Sequence, residues 1–389
     1  MVILNKVRVK KMIGRLRNII NNPFDWKYLF FNRKVSKDGI IIVIHESNYL
    51  GASLLALNTA KELKKKGYNV YIITLQFGEL NKEYSKIAPT QIIFSKSKFK
   101  RTLMILKKQY NFSRILMISA AVGGYTKIAA ELNYFVVSEI HELPSVIDLL
   151  DLKRETKEMI RYSDKVLFST ISAKKAVLKH LGFNDENKVL VKPQGVYLNK
   201  PSESVIKIEK ARIINNYPFI KGKKIIIGVG NTSFRKGFDL FSAVAQKMPK
   251  DIFLWAGKRE RFFNRVKKNL PKNLIYLGQL NSNELSGVYS IADVLLLSSR
   301  KDTLPSTIFE SFLYNVPVIG SEKSGGISEV IINGKNGLLT ENTAVEEYIS
   351  AISIVLDRKQ NKNIQDYLKK NNKNNSFSNY ISFIISLYK

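Results

Sequence analysis

The chain contains no cysteine. A disulfide, a thiolate nucleophile and a cysteine zinc site are thereby excluded, and the composition suits a reducing compartment. Its three histidines, His45, His141 and His180, are too few and too scattered for a His-rich metal centre. No apolar run approaches the ~20 residues that span a bilayer. Gly39 to Ile44 is apolar but short, and reads as a buried strand. A signal-peptide core is also missing, because Lys6, Arg8, Lys10 and Lys11 interrupt the first apolar stretch. The expected location is therefore the cytoplasm. Acids are scarce: 32 stand against 63 Lys and Arg, a net charge of +31. Unless it merely follows Lys/Asn/Ile-rich residue usage, that excess attracts a polyanion, either nucleic acid or an anionic membrane leaflet.

What is present fits a globular protein: 45% hydrophobic and 24% charged residues over 389 positions. That length suits two domains of roughly 150–200 residues each. Residues 1–38 hold ten Lys/Arg and only Asp25 and Asp38 as acids. Val9, Met12, Ile13, Leu16 and Ile20 recur at helical spacing, opposite Lys10, Lys11, Arg15 and Arg17. Trp26, Tyr28, Phe30 and Phe31 follow. A basic amphipathic helix with aromatics reads either as an interfacial membrane element or as an arm packed on its own domain.

From Gly39 strands and helices alternate. Strands are expected at Gly39–His45, Asn69–Leu75, Gln91–Phe94, Arg114–Ser119, Tyr134–Ser138, Asp164–Thr170 and Val189–Lys192. Helices are expected at Ser53–Lys66, stopped by Gly67, and at Ser172–Leu181, ended by Gly182. Val/Ile-rich strands separated by helices imply a parallel sheet covered on both faces. Pro193-Gln194-Gly195 breaks the pattern, and residues 196–222 read as a polar connection with a short helical piece. The alternation then restarts, with strands expected at Lys223–Val229, Asp251–Ala256, Leu274–Leu277, Asp293–Leu297 and Val316–Ile319. Two such units facing each other make a cleft, and ligands sit at the carboxyl ends of parallel strands. Tyr380–Leu387 is apolar at helical spacing and should pack back on the body.

The stretch Ser298-Ser299-Arg300-Lys301-Asp302-Thr303-Leu304-Pro305-Ser306-Thr307-Ile308-Phe309-Glu310 follows an expected strand. Asp302 stands before a helix start and Glu310 within the helix, so both carboxylates can accept hydrogen bonds from sugar hydroxyls. Read alone, the stretch is better explained with Asp302 as a cap and Glu310 as a surface acid. Arg235-Lys236-Gly237 puts two cations before a helix N-terminus, which makes an anion site. His45-Glu46-Ser47-Asn48-Tyr49-Leu50-Gly51-Ala52-Ser53 is a strand-to-helix turn in which Gly51 permits close backbone approach. His141-Glu142-Leu143-Pro144 follows another strand, and Gly278-Gln279-Leu280 a further one.

Asp302-x-Leu-Pro-x-Thr-x-x-Glu310, then Asn315-Val316-Pro317-Val318, Gly325-Gly326-Ile327-Ser328-Glu329-Val330 and Asn333-Gly334-Lys335-Asn336-Gly337-Leu338, resembles the acid-x7-acid signature of the retaining glycosyltransferases of family 4. The resemblance spans residues 39–360 and leaves 1–38 outside. It implies the GT-B fold: two Rossmann-like α/β domains facing a central cleft, with a C-terminal helix packing back on the N-terminal domain. The units would be 1–38, an extension; 39–196, the acceptor domain; 197–370, the donor domain; and 371–389, the returning helix.

The same resemblance implies roles. Glu310 would hold the ribose, Asp302 the donor sugar, and the Thr303 and Leu304 amides the sugar or phosphate. Lys236, with Arg235, would meet the donor diphosphate. Gly51 would approach phosphate and acceptor, Gly278 the base. His141, then Glu142, would stand beside the reacting sugar. Relatives often carry Arg where Gly230-Asn231-Thr232-Ser233 stands here, so Lys258 or Arg259 is the substitute cation. Lys301 precedes the first acid and faces a phosphate in one alternative.

The implied activity is metal-independent, retaining transfer from a UDP- or GDP-sugar to a lipid-linked or surface-polysaccharide acceptor, with no cofactor. An anionic membrane surface would be contacted through 1–38 and through the acid-free, six-cation stretch 96–108. The rivals are an inactive GT-B scaffold, a nucleic-acid-binding protein, for which no motif is present, and a sugar-nucleotide epimerase, which the acid signature disfavours.

Overall fold

The computed structural model describes residues 39–388 apart from Leu50, 185–186, 197–199 and 372–375. The basic segment 1–38 lies outside the described residues.

The first sheet contains β1 (Gly39–Ile44), β2 (Asn69–Thr74), β3 (Thr90–Ile92), β4 (Phe112–Ile118), β5 (Phe135–Ile140), β6 (Lys165–Phe168) and β7 (Val189–Val191). Its order is β3-β2-β1-β4-β5-β6-β7, with every pairing parallel. The second contains β8 (Ile225–Val229), β9 (Ile252–Ala256), β10 (Leu274–Gly278), β11 (Val294–Leu296), β12 (Val318–Ser321) and β13 (Gly337–Thr340). It runs β10-β9-β8-β11-β12-β13, again all parallel. The strand order reverses at β1/β4 in one sheet and at β8/β11 in the other, and loops leaving the strands there open a crevice.

Composition explains why these segments are strands. β1 reads Gly-Ile-Ile-Ile-Val-Ile and is buried throughout, because helices cover both of its faces. Burying each such side chain favours folding by roughly 1.5–3 kcal/mol. Helix Gly51–Lys65 stops before Gly67, and Ile171–Leu181 ends at Gly182, whose φ of 73° is the left-handed cap that glycine takes without strain. Thr170 caps the start of Ile171–Leu181, its hydroxyl accepting from the Ala173 amide.

The polar connection departs from the short helical piece read from sequence. It holds a four-turn helix, Glu203–Asn216, packed along Ser282–Ile291, with Ile206 and Ile213 buried. β13 has no counterpart among the expected strands, because it is only four residues long and starts inside the Asn-Gly-rich motif.

Helix Phe377–Leu387 crosses from the second domain to the first. Phe377, Tyr380, Ile381, Ile384 and Tyr388 join Ile40, Ile42, Leu116 and Val137 in one core, on one face of the first sheet. Among the described residues no helix is long and apolar enough to cross a membrane.

Candidate functional site: a cleft between two domains

The turn after β8 is shaped by Gly237. Gly237 has φ 68°, and a Cβ there would lie 1.9 Å from the Ser298 carbonyl oxygen. The glycine thus lets this turn sit directly on the turn after β11. Arg300 then splints the two turns. It donates to both Asp239 carboxylate oxygens at 2.8 and 2.7 Å and to the Phe234 carbonyl at 2.8 Å, and its guanidinium lies 3.8 Å over the Phe234 ring. Arg235 donates to the Lys301 carbonyl at 2.9 Å, and the Arg300 amide to the Arg235 carbonyl at 2.8 Å.

This splinting brings Lys236 and Asp302 together. Lys236 Nζ donates to Asp302 Oδ2 at 2.5 Å, and Arg235 lies 3.5 Å from the same oxygen. Burial would raise the Asp302 carboxyl, but Lys236 and Arg235 outweigh it and hold the group below the usual carboxylate range. On the far side, Gly325 (φ 131°) allows the backbone to pair with Asp302, whose amide donates to the Ser324 carbonyl at 2.6 Å.

The cleft beside this pair has a free volume of about 280 Å³. His141, Ser169, Gln194, Asp302 and Lys236 are among the residues that line it, so both domains contribute. Of the residues singled out in the sequence, Gly51, His141, Arg235, Lys236, Asp302, Thr303 and Leu304 all border it. A Cβ at Gly51 would meet open space within 4 Å, so the first turn of helix Gly51–Lys65 leaves its backbone approachable.

Others do not border it. The Glu142 carboxylate turns away: it accepts from Ser119 Oγ at 2.5 Å and from the Ala120 and His141 amides at 3.0 Å each. It therefore braces the loop that carries His141 and does not line the cleft. Glu310 is buried in a neighbouring small recess with Ser282, Tyr289 and Tyr314. Ser306 Oγ donates to one of its oxygens at 2.9 Å and Tyr289 to the other at 3.0 Å. Burial raises the Glu310 carboxyl, against the pull of Ser306, Tyr289 and Lys236. Gly278 ends β10 with φ 78°, and its carbonyl accepts from the Gly257 amide at 2.8 Å, outside the cleft lining. Lys258 and Arg259 do not line it either, and the Arg259 guanidinium stacks on Phe263 at 4.7 Å. Lys301 is exposed and borders a different cavity, beside Lys323 and His180.

Three cleft-lining oxygens escaped sequence reasoning. Ser169 Oγ, Gln194 Oε1 and Thr307 Oγ1 are buried and make no hydrogen bond to any described residue. Buried polar atoms are normally paired, so these point to a polar occupant. The only sequence signal for them is position: Ser169 stands near the end of one expected strand and Gln194 just past another.

Among the described residues, Thr303 and Glu329 reach across the cleft. Thr303 Oγ1 donates to the His141 carbonyl at 2.6 Å. Glu329 accepts from the Ile171 and Ser172 amides at 2.6 and 2.7 Å, capping helix Ile171–Leu181 from the opposite domain. Gly326 makes this approach possible, since a Cβ there would lie 2.3 Å from Thr170 Cγ2.

Residues 209–375 match the family model described as glycosyl transferases group 1. It is 27% identical over 172 residues to the alpha-galactosylglucosyldiacylglycerol synthase of Streptococcus pneumoniae, an overlap of 41% of this chain and 44% of that one. The match thus spans less than half of that relative's length. An uncharacterized glycosyltransferase of Haemophilus influenzae is 22% identical over 325 residues, or 79% of this chain and 87% of that protein. The solved structure of Anabaena Alr3699/HepE in complex with UDP and glucose superposes with a TM-score of 0.74 at 16% identity, covering 90% of this chain and 98% of that one. The fold is GT-B: two parallel Rossmann-like sheets facing a cleft, with the last helix packed on the first domain.

Proposed function

We propose that the chain is a retaining glycosyltransferase, moving a sugar from a nucleoside diphosphate sugar to an acceptor held at a membrane surface. One observation carries this reading. A cleft between the domains joins a cation pair, Arg235 and Lys236, to a carboxylate, Asp302, and to three unpartnered buried oxygens. Cations suit a diphosphate, and carboxylate and unpaired oxygens suit sugar hydroxyls.

In this reading Lys236 and Arg235 meet the negative charge that develops on the departing diphosphate, an electrostatic role that needs no metal. Asp302 and the Thr303 and Leu304 amides hold the donor sugar, and His141 stands beside it. Glu310 receives the ribose where the nucleoside reaches past Ser306 into the small recess, with Gly278 toward the base. Gly51 leaves room for phosphate and acceptor. The acceptor attacks from the face the leaving group departs, so configuration is retained without a covalent enzyme intermediate.

The name of the Streptococcus pneumoniae relative supports a diacylglycerol-type or other lipid-linked acceptor, and the UDP in the Anabaena structure supports a uridine donor, with GDP as the other. Contact with an anionic leaflet at the cytoplasmic face follows from the basic charge.

A thermal-shift panel of UDP, GDP, ADP and their sugars tests this. A true donor at a hundred times its dissociation constant should stabilise the protein by about 2.7 kcal/mol. If the melting temperature moves with none of them, the reading fails.

A further inference from the structure

β5 sends Phe135, Val137, Glu139 and His141 to one face, by the two-residue period of a strand. The first two meet apolar neighbours: Phe135 packs edge-on against Tyr388 with ring centroids 5.6 Å apart, and Val137 lies in the core shared with Phe377, Ile381 and Ile384. Glu139 interrupts this apolar row while being completely buried. A carboxyl group in that setting is costly unless its oxygens are bonded. They are. Tyr380, on the returning helix Phe377–Leu387, donates its hydroxyl to Glu139 Oε1 at 2.7 Å. On the other side His141 Nε2 lies 3.2 Å from Glu139 Oε2. The helix that crosses between domains therefore ends in the support of a cleft residue.

Fold stability alone would be served as well by an apolar side chain at position 139, since its neighbours on that face are apolar. What only a carboxyl group can do there is fix the imidazole ring by its Nε2 and favour its protonated form. Thr303 already ties the His141 carbonyl, and Glu142 its amide. With Glu139 on the ring, every polar group of His141 except Nδ1 has a partner.

We propose that Glu139 and Tyr380 are positioning residues: a buried Tyr380–Glu139–His141 relay orients His141 and holds positive charge at the donor-sugar end of the cleft. This rests on the glycosyltransferase reading for its use, but not for its existence. Burial opposes a protonated His141, yet Glu139 and then Glu142 prevail and raise it above the ordinary histidine value. Tyr380 is raised well above the usual phenol by burial and by Glu139, so it stays a donor.

The test is the titration of the full chain labelled with 15N-histidine. The three imidazoles are followed by NMR, and His141 is assigned by its loss in His141→Gln. Glu139→Gln should lower the His141 midpoint by about one pH unit or more. With a donor and acceptor in hand it should also lower kcat at least tenfold while leaving the donor KM within twofold. Tyr380→Phe, which keeps the packing ring, should also move the His141 midpoint and lower kcat. Ile384→Val, which loosens the same helix without touching Glu139, should lower Tm and leave both unchanged. An unaltered His141 midpoint in Glu139→Gln, or one moved as far by Ile384→Val as by Tyr380→Phe, overturns the relay. Because the titration needs no substrate, it stands or falls separately from the proposed reaction.

Discussion

Lys236 and Asp302 are the residues on which the most chemistry converges, and in the free protein each is the other's partner. That pairing has a consequence for stability with a definite sign. Asp302 is held below the ordinary carboxylate value, so its pairing stabilises the fold at neutral pH. The contribution fades as pH falls through the folded-state value. Lys236→Ala leaves a largely buried carboxylate without its main cation and should cost about 1–3 kcal/mol at pH 7. The deficit should shrink in acid, where the wild-type pair is itself lost. Lys236→Ala with Asp302→Asn should recover most of the stability at pH 7 but not the nucleotide-dependent melting shift. Urea denaturation at pH 7 and at about pH 2, below the lowered Asp302 value, checks this, and a double variant no more stable than the single one would refute it. The two residues could be found in the sequence because each stands in a short motif beside a strand end. Arg300 could not, although it joins their turns: its partners, Asp239 and the Phe234 carbonyl, are about sixty residues away, and only the folded chain brings them near. Glu142 shows the reverse. Its position next to His141 suggested chemistry, but the left-handed Ser119 (φ 84°) turns that loop's amides and hydroxyl toward its carboxylate.

Among the elements, helix Lys96–Tyr110 shows most clearly what hydrophobic patterning settles and what it leaves open. Phe99, Leu103 and Leu106, at helical spacing, are buried. They pack against the first sheet, so the apolar face is occupied by the protein's own core. A helix used that way cannot also sink the same face into a bilayer. Two of its six cations are partly engaged as well. Lys107 caps carbonyls of Leu132 and Asn133, and Lys96 lies 6.0 Å over the Tyr125 ring. What remains outward is Lys98, Lys100, Arg101 and Lys108, with Phe94 and Met104 exposed beside them. The membrane contact proposed for this element would therefore be electrostatic, not insertional. Each basic side chain near an anionic leaflet contributes about 1 kcal/mol. Replacing those four by Gln should weaken binding to phosphatidylserine-containing vesicles by roughly a hundredfold or more at low salt, with far-UV circular dichroism unchanged. Equal vesicle binding by variant and parent would remove this surface from the proposal. The helix Glu203–Asn216 was harder to read because its amphipathic pattern is weak, and what fixes it is packing along Ser282–Ile291.

At the scale of the whole molecule, the two sheets were legible from Val/Ile runs, whereas the way the domains meet was not, because the residues that join them look unremarkable in sequence. Glu329 lies at the end of a glycine-rich motif, and nothing local says that its carboxylate caps a helix of the other domain. Yet that contact, with Thr303 on the His141 carbonyl, sets how far the cleft is closed. In the proposed reaction closure would matter because a water-excluded cleft strengthens the field of Lys236 and would protect a nucleotide-sugar donor from hydrolysis. A carboxylate on exposed helix amides contributes about 0.3–1 kcal/mol, and more when partly shielded. Removing about 1 kcal/mol that exists only in the closed form shifts the closed-to-open ratio about fivefold. Glu329→Ala should thus enlarge the radius of gyration of the free protein in solution scattering, while a saturating nucleotide sugar, by bridging Lys236 and the first domain, should restore the compact value. Donor hydrolysis relative to transfer should rise in the same variant. Thr170→Val offers a control, because it removes the cap within the helix's own domain and leaves the Glu329 bonds in place: it should lower stability without opening the cleft. If Glu329→Ala scatters like the parent and Thr170→Val does not, the domains are held together by something other than this carboxylate, and closure has to be sought in the backbone approach at Gly326.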